Sequence, residues 1–246
     1  MIQLSVNVNK IATLRNSRGG HEPSVLAAVE TCLAAGAPGI TVHPRADQRH
    51  IRPDDVTSIA ARLKGRRPHV EFNIEGDPRP DFLDMVLDVR PDQCTLVPVA
   101  AGEVTSQAGW PETTPAEWLG AIVTRLQAAG VRVSLFVDPV EAAVRWAAQL
   151  GADRVELYTE PFAKAFARGE QEAHASFAAY SAAAEVAASL GLGVNAGHDL
   201  DLGNLVMFRS LPHLAEVSIG HALISRALWV GLEQVVREYL ALLSAV

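Results

Sequence analysis

Two cysteines in 246 residues are too few for a disulfide framework. Cys32 and Cys94 lie far apart in apolar segments with no CxxC, the setting of buried free thiols in a reducing compartment. Long apolar runs are missing as well. No stretch approaches ~20 uninterrupted apolar residues, and the first residues lack a basic segment leading into an apolar one. The chain therefore reads as soluble, unexported and cytoplasmic, with no membrane partner. Positive charge is scarce: 21 Lys and Arg against 28 Asp and Glu give a net charge of -7. No basic block occurs, which argues against nucleic acid as a partner. Neither HxxxH nor HExxH spacing is found, so no dedicated metal site is expected. Linkers, low-complexity tails and composition breaks are absent too, leaving one domain over residues 1–246.

What is present is a regular alternation. Short β-rich runs recur eight times: LSVNVN (4–9), GITVH (39–43), HVEFNIE (69–75), QCTLVP (93–98), VRVSLFVD (131–138), RVELYT (154–159), LGVNAGH (192–198) and EVSIGH (216–221). Between them lie segments such as PSVLAAVETCLAAG and PVEAAVRWAAQLG, whose apolar residues recur at three and four and which end in glycine, as helices do. Eight βα units predict an α/β fold of the (β/α)8 TIM barrel type. Residues 160–191 are long enough to hold an extra helix before the regular one.

In such a barrel the active site lies at the C-terminal ends of the strands, and polar residues collect there in this sequence. The first strand leads into Asn7, Asn9 and Lys10, the second into His43 and Arg45, the third into Asn73 and Glu75. The sixth ends in Glu156 and Thr159, the seventh in Asn195 and His198, the eighth in Gly220 and His221. Gly220 and His221 stand between a strand and a helix start, where free backbone N–H groups and the helix dipole favour an anion. Lys10, Arg18 and Arg45 add cations from other loops, which points to small phosphorylated substrates. His43, Glu75 and His198 come from three strands, the distribution expected of general acid and base groups. Trp110 is a candidate wall of the site, while His21, His69, His174 and His213 read as surface or packing residues.

Taken in order, VNVNKIATLRNSRGG, GITVHPRADQRHI, FNIEG, TLVP followed by EVTS, VSLFVD, VELYT, VNAGHDL and EVSIGHALI make the chain resemble the pyridoxine 5'-phosphate synthase family over almost its whole length. The resemblance implies a barrel with additional helices and a homo-octameric assembly. It implies condensation of 3-amino-2-oxopropyl phosphate with 1-deoxy-D-xylulose 5-phosphate, without cofactor or metal. By position, His43 and Glu75 match the family's proton acceptors, His198 its proton donor, and Glu156 a carboxylate that supports the transition state. Asn7, Arg18, Arg45, His50, Thr105, Gly220 and His221 match substrate-binding positions, and the loop around Thr105 is a candidate lid.

Three departures mark the chain as a divergent branch. Asn9-Lys10 replaces a common Asp-His beside the deoxyxylulose phosphate. Asp199 replaces a glycine after the histidine that matches the proton donor, adding a carboxylate to a phosphate-binding edge. Pro44 lies between His43 and Arg45 and constrains both. Two other readings remain at this level: an aldolase-like barrel with Lys10 as Schiff-base nucleophile, and a phosphometabolite-binding protein without turnover.

Overall fold

Leu4 and Val6 alternate with Ser5 and Asn7, and this two-residue period recurs around a closed sheet. A computed structural model describes residues 1–98 and 108–245. Its strands are β1 (Gln3–Asn7), β2 (Gly39–Val42), β3 (Glu71–Gly76), β4 (Gln93–Leu96), β5 (Arg132–Val137), β6 (Arg154–Tyr158), β7 (Gly193–Gly197) and β8 (Leu214–Ile219). Each pairs in parallel with the next, and β8 pairs back with β1 to close the barrel. The helices are α1 (Asn9–Asn16), α2 (Val25–Ala34), α3 (Pro53–Leu63), α4 (Pro80–Val89), α5 (Ala116–Ala128), α6 (Glu141–Gln149), α7 (Glu160–Arg168), α8 (Glu170–Ser189), α9 (Leu205–Phe208), α10 (His221–Val230) and α11 (Leu232–Ser244). The (β/α)8 expectation holds, and 160–191 does contain two helices, broken at Gly169 with φ 140°.

The first strand is shorter than its sequence pattern. It stops at Asn7, because the Asn7 Oδ1 accepts the Asn9 backbone N–H at 3.1 Å and turns the chain out of the sheet into α1. Asn7 therefore ends a strand and Asn9 opens a helix, while both still face the mouth of the barrel.

The barrel is apolar on the outside and polar within. Leu4, Val6, Ile40, Val42, Phe72 and Ile74 are fully buried in the main apolar cluster, on the strand face that the helical ring covers. The alternate residues bond to one another through the lumen. Ser5 and Thr41 hydroxyls lie 2.6 Å apart, the Thr95 hydroxyl donates to Asn73 at 3.2 Å, and Asn195 reaches across to Gln93 at 3.4 Å. Such bonds satisfy polar groups that would otherwise be costly to bury. At the N-terminal end Arg132 pairs with Glu71 at 2.6 Å, and Arg154 donates to Asn195 at 2.7 Å. Asn73 and Asn195, read as strand-end polar residues, thus belong to this interior lattice beneath the mouth.

Candidate active site

A cavity of about 440 Å³ opens at the C-terminal mouth of the barrel. It brings together Asn7, Asn9, Lys10, His43, Arg45, His50, Glu75, Glu156, His198, Asp199, Gly220 and His221. These twelve candidates from the sequence thus share one wall. Arg18 does not: it lies in the exposed turn after α1, with its backbone N–H bonded to Arg15. Thr105, and the lid proposed around it, lie outside the described residues. Trp110 is also displaced from its expected place. Its indole donates to the Leu96 carbonyl at 2.8 Å and faces a separate hollow with Trp118, so it does not wall the mouth.

The asparagines brace the opening. Asn9 Oδ1 accepts the His43 backbone N–H at 2.9 Å, joining the ends of β1 and β2. Asn7 donates to Glu75 Oε2 at 3.4 Å, and Ser218 from β8 donates to Glu75 Oε1 at 3.3 Å. The Glu75 carboxyl is buried among these neutral groups, and burial pushes its pKa up to about 7. His43 Nδ1 lies 3.7 Å from Glu75 Oε2, and its Nε2 has no partner among the described residues. Burial, with Arg45 next in effect, holds this imidazole neutral well below the ordinary histidine range.

Two further groups are tuned in the same way. Glu156 is driven well above the ordinary carboxylate range by burial and by the Glu75 charge, and its Oε2 lies 3.4 Å from the Thr95 hydroxyl. A Cβ at Gly197 would meet Glu156 Oε1 at 2.3 Å, so glycine at the end of β7 makes room for this carboxyl. His50 is lowered to about 4 by burial, then by Arg45 and Lys10. Its Nδ1 accepts the Ile51 N–H at 2.9 Å, which leaves Nε2 as a proton donor.

His198 follows β7 with φ 89° and Asp199 with φ 56°, both in the left-handed region that few side chains adopt. Tyr158 meets the His198 ring edge-on at 5.3 Å between centroids, and Phe136 lies 6.5 Å away. The Tyr158 hydroxyl donates to Glu160, a cavity residue not expected from the sequence. Asp199 Oδ2 is 3.7 Å from His198 Nδ1, and the His198 imidazole beside it keeps Asp199 below the ordinary range. Gly220 caps α10 without a side-chain bond, leaving the first-turn N–H groups of that helix at the cavity wall. A Cβ at Gly220 would lie 3.1 Å from the Asn7 side chain, so the close approach of β8 to β1 requires a small residue.

Thr13, Arg49, Glu160 and Ser218 are polar wall residues that the sequence reading missed. Ser218 was legible: it stands two residues before Gly220, and alternate residues of one strand share a face. The mouth has Lys10, Arg45 and Arg49 as cations, an uncapped helix start, and one carboxyl, Glu75, poised near pH 7. It suits proton transfer on an anionic ligand. No cluster able to hold a metal ion occurs among the described residues.

The sequence model of "Pyridoxal phosphate biosynthesis protein PdxJ" matches residues 4–245. The chain belongs to the PdxJ family. The pyridoxine 5'-phosphate synthase of Christiangramia forsetii is 50% identical over 244 residues, spanning 99% of this chain and 100% of that relative. That of Xanthomonas oryzae pv. oryzae is 51% identical over 250 residues, spanning 98% and 96%. Among solved structures, 3-keto-L-gulonate-6-phosphate decarboxylase from Vibrio cholerae superposes with a TM-score of 0.64 at 8% identity, over 99% of this chain and 98% of that one. Phosphoribosyl anthranilate isomerase from Thermotoga maritima gives 0.63 at 11% identity, over the whole of both chains. These two share the barrel fold with this PdxJ member.

Proposed function

We propose that this chain is a pyridoxine 5'-phosphate synthase, condensing 3-amino-2-oxopropyl phosphate with 1-deoxy-D-xylulose 5-phosphate and releasing phosphate and water. The reading is carried by half-identity to enzymes of that name over full length, together with His43, Glu75, Glu156 and His198 on one cavity wall. Joining an amine to a ketone, expelling phosphate and closing a ring need several proton transfers. His43 is neutral and can take a proton at Nε2, where no protein group competes. Glu75, with a pKa of about 7, can take one and return it near neutral pH. Glu156, whose protonated form burial favours, can donate a hydrogen bond to an oxygen that gains charge. His198, on its strained loop, supplies the proton to the leaving group.

Lys10, Arg45, Arg49 and the start of α10 hold the phosphates, one permanently and one that must leave. No cofactor is called for in this chemistry. A Schiff-base role for Lys10 is disfavoured by its position: it is only half-buried, without the enclosure that activates such a lysine. Self-association is supported by α10, which leaves Trp229 87% and Leu228 68% exposed, while an octamer rests on the family resemblance. A cytoplasmic setting is supported by two buried free thiols, and no described helix is long and apolar enough to cross a membrane.

The test is incubation with both phosphorylated substrates, following pyridoxine 5'-phosphate by mass and absorbance alongside released phosphate, with His198→Ala as control. Equal product and phosphate, lost in the control, is the expected result. Binding of both substrates without product overturns the reading in favour of a phosphometabolite-binding protein.

A further inference from the structure

His43 is useful only if its ring stays where Glu75 and the substrate can reach it, yet it sits at the end of a four-residue strand and opens a loop. Its own N–H is gripped by Asn9 at 2.9 Å. The grip on its other side comes from Arg79, whose Nη2 donates to the Pro44 carbonyl at 2.8 Å. Proline at 44 has no N–H, so its carbonyl is the one backbone hydrogen-bonding group that residue offers.

Arg79 is itself held firmly. Nη1 donates to Asp77 at 2.6 Å, Nε to Asp81 at 3.1 Å, and the guanidinium carbon lies 5.6 Å from the centre of the Phe82 ring. Pro78 and Pro80 flank it and restrict the backbone. Phe82 in turn is seated on β3: a Cβ at Gly76 would lie 2.3 Å from the ring, so the ring rests directly on the residue after Glu75. The guanidinium therefore spans from the end of the strand that carries Glu75 to the residue after His43. It lines the outer hollow between α4 and α5 and is absent from the catalytic cavity wall.

We infer that Arg79 is a positioning residue, tying the loop after β2 to the loop after β3 and so setting the His43 imidazole against the Glu75 carboxyl. The inference rests on the synthase reading. The forked guanidinium suits the task because it can serve three acceptors in one plane, which a lysine ammonium on a flexible stem does not reproduce. Arg79 also belongs, after burial and the charges of Arg45 and His50 and ahead of Arg49, to the causes that keep His43 neutral.

The test compares Arg79→Met, which keeps an unbranched stem over Phe82, and Arg79→Lys, which keeps the charge, with wild type in the intact protein. Folding is followed by circular dichroism and thermal denaturation. The kinetic readout is the separation of kcat from KM for both substrates. The site readout is the NMR titration of the His43 ring, assigned with His43→Gln. Because about 1 Å of misplacement costs on the order of 10²-fold in rate, Arg79→Met is expected to lower kcat by about 10- to 100-fold while each KM moves by less than about threefold. Its His43 ring should titrate at higher pH than in wild type, the removal of a cation favouring the protonated form. Arg79→Lys should lose several-fold in kcat, with the His43 titration near its wild-type place. If Arg79→Met does not fold, Arg79→Lys decides: wild-type kcat in that variant overturns the inference. Wild-type kcat and an unmoved His43 titration in folded Arg79→Met overturn it equally. Absence of product from the wild-type protein is a different result, which removes the synthase reading itself.

Discussion

The Nδ1 of His43 and the Oε2 of Glu75 lie 3.7 Å apart, and burial opposes charge on both groups. At that separation they are neighbours without a direct hydrogen bond. One is a neutral imidazole at physiological pH and the other a carboxyl balanced between its two forms, an arrangement suited to passing protons in either direction.

If Glu75 must be ionised to accept a proton, kcat/KM should rise as pH passes through about 7, its pKa in the free protein. His43 is neutral well below that point and adds no limb of its own there. A pH–rate profile measured with both substrates checks this. A limb near the ordinary glutamate range of about 4 to 4.5 would remove Glu75 as the group that controls it. Glu75→Gln should lose roughly 10²- to 10⁴-fold in rate.

The same carboxyl limits stability. Its pKa is raised from 4.5 to about 7 by burial, so the folded chain binds a proton that the unfolded chain releases. Stability from this group is complete below 4.5, declines as pH rises towards 7, and is lost above it. The loss amounts to ~3 kcal/mol. Glu75→Gln should therefore melt above wild type at pH 8 and close to it at pH 4.5. Thermal denaturation at the two pH values gives the comparison, and an equal shift at both would contradict it.

Gly197→Ala tests the seat of Glu156. The new methyl would meet the far end of that flexible side chain, which can swing aside. The expected outcome is a small change in Tm with kcat down by at least about tenfold, since small misplacements of reacting groups are costly. A loss of stability with unchanged kcat in the folded fraction would show that Glu156 has no part in turnover.

Asn9 and Asp199 should respond differently to replacement. Asn9 gives His43 only a carbonyl acceptor, and aspartate has one too, so Asn9→Asp should keep activity within about threefold. Asn9→Leu, lacking any acceptor, should cost ~1–3 kcal/mol of stability and lower kcat. Asp199 stands at φ 56°, where glycine is unstrained, so Asp199→Gly should gain ~0.5–1 kcal/mol. Losing its negative charge should also lower KM for a phosphorylated substrate. Steady-state kinetics and melting curves on the three variants decide between these outcomes.

The barrel was readable because its strands are short, β-rich and separated by helical segments that mostly end in glycine, so local preference and global architecture agree. Most of the mouth followed from one rule, that polar residues at the C-terminal ends of strands gather in space. Where the rule misled, the cause was depth. Asn73 and Asn195 are two and three residues short of Glu75 and His198, and those steps place them within the lumen lattice. Trp110 failed for another reason, because the hydrogen bond from its indole to Leu96 is a tertiary contact with no trace in local pattern. Arg49 reaches the cavity from the loop after β2 and Glu160 from the first turn of α7, placements that periodicity does not encode.

A lumen built from hydroxyls, amides and carboxyls has a further consequence for how this chain can change. In an oily lumen, one methyl group can be exchanged for another and neighbours shift slightly. Here each side chain is the partner of another: Thr95 answers to Asn73 and to Glu156, and Ser218 to Glu75. A single replacement strands the group left behind, so permissible variation in the lumen comes in matched sets. The layer beneath the mouth should drift slowly and in concert, while the helical ring outside it diverges one residue at a time.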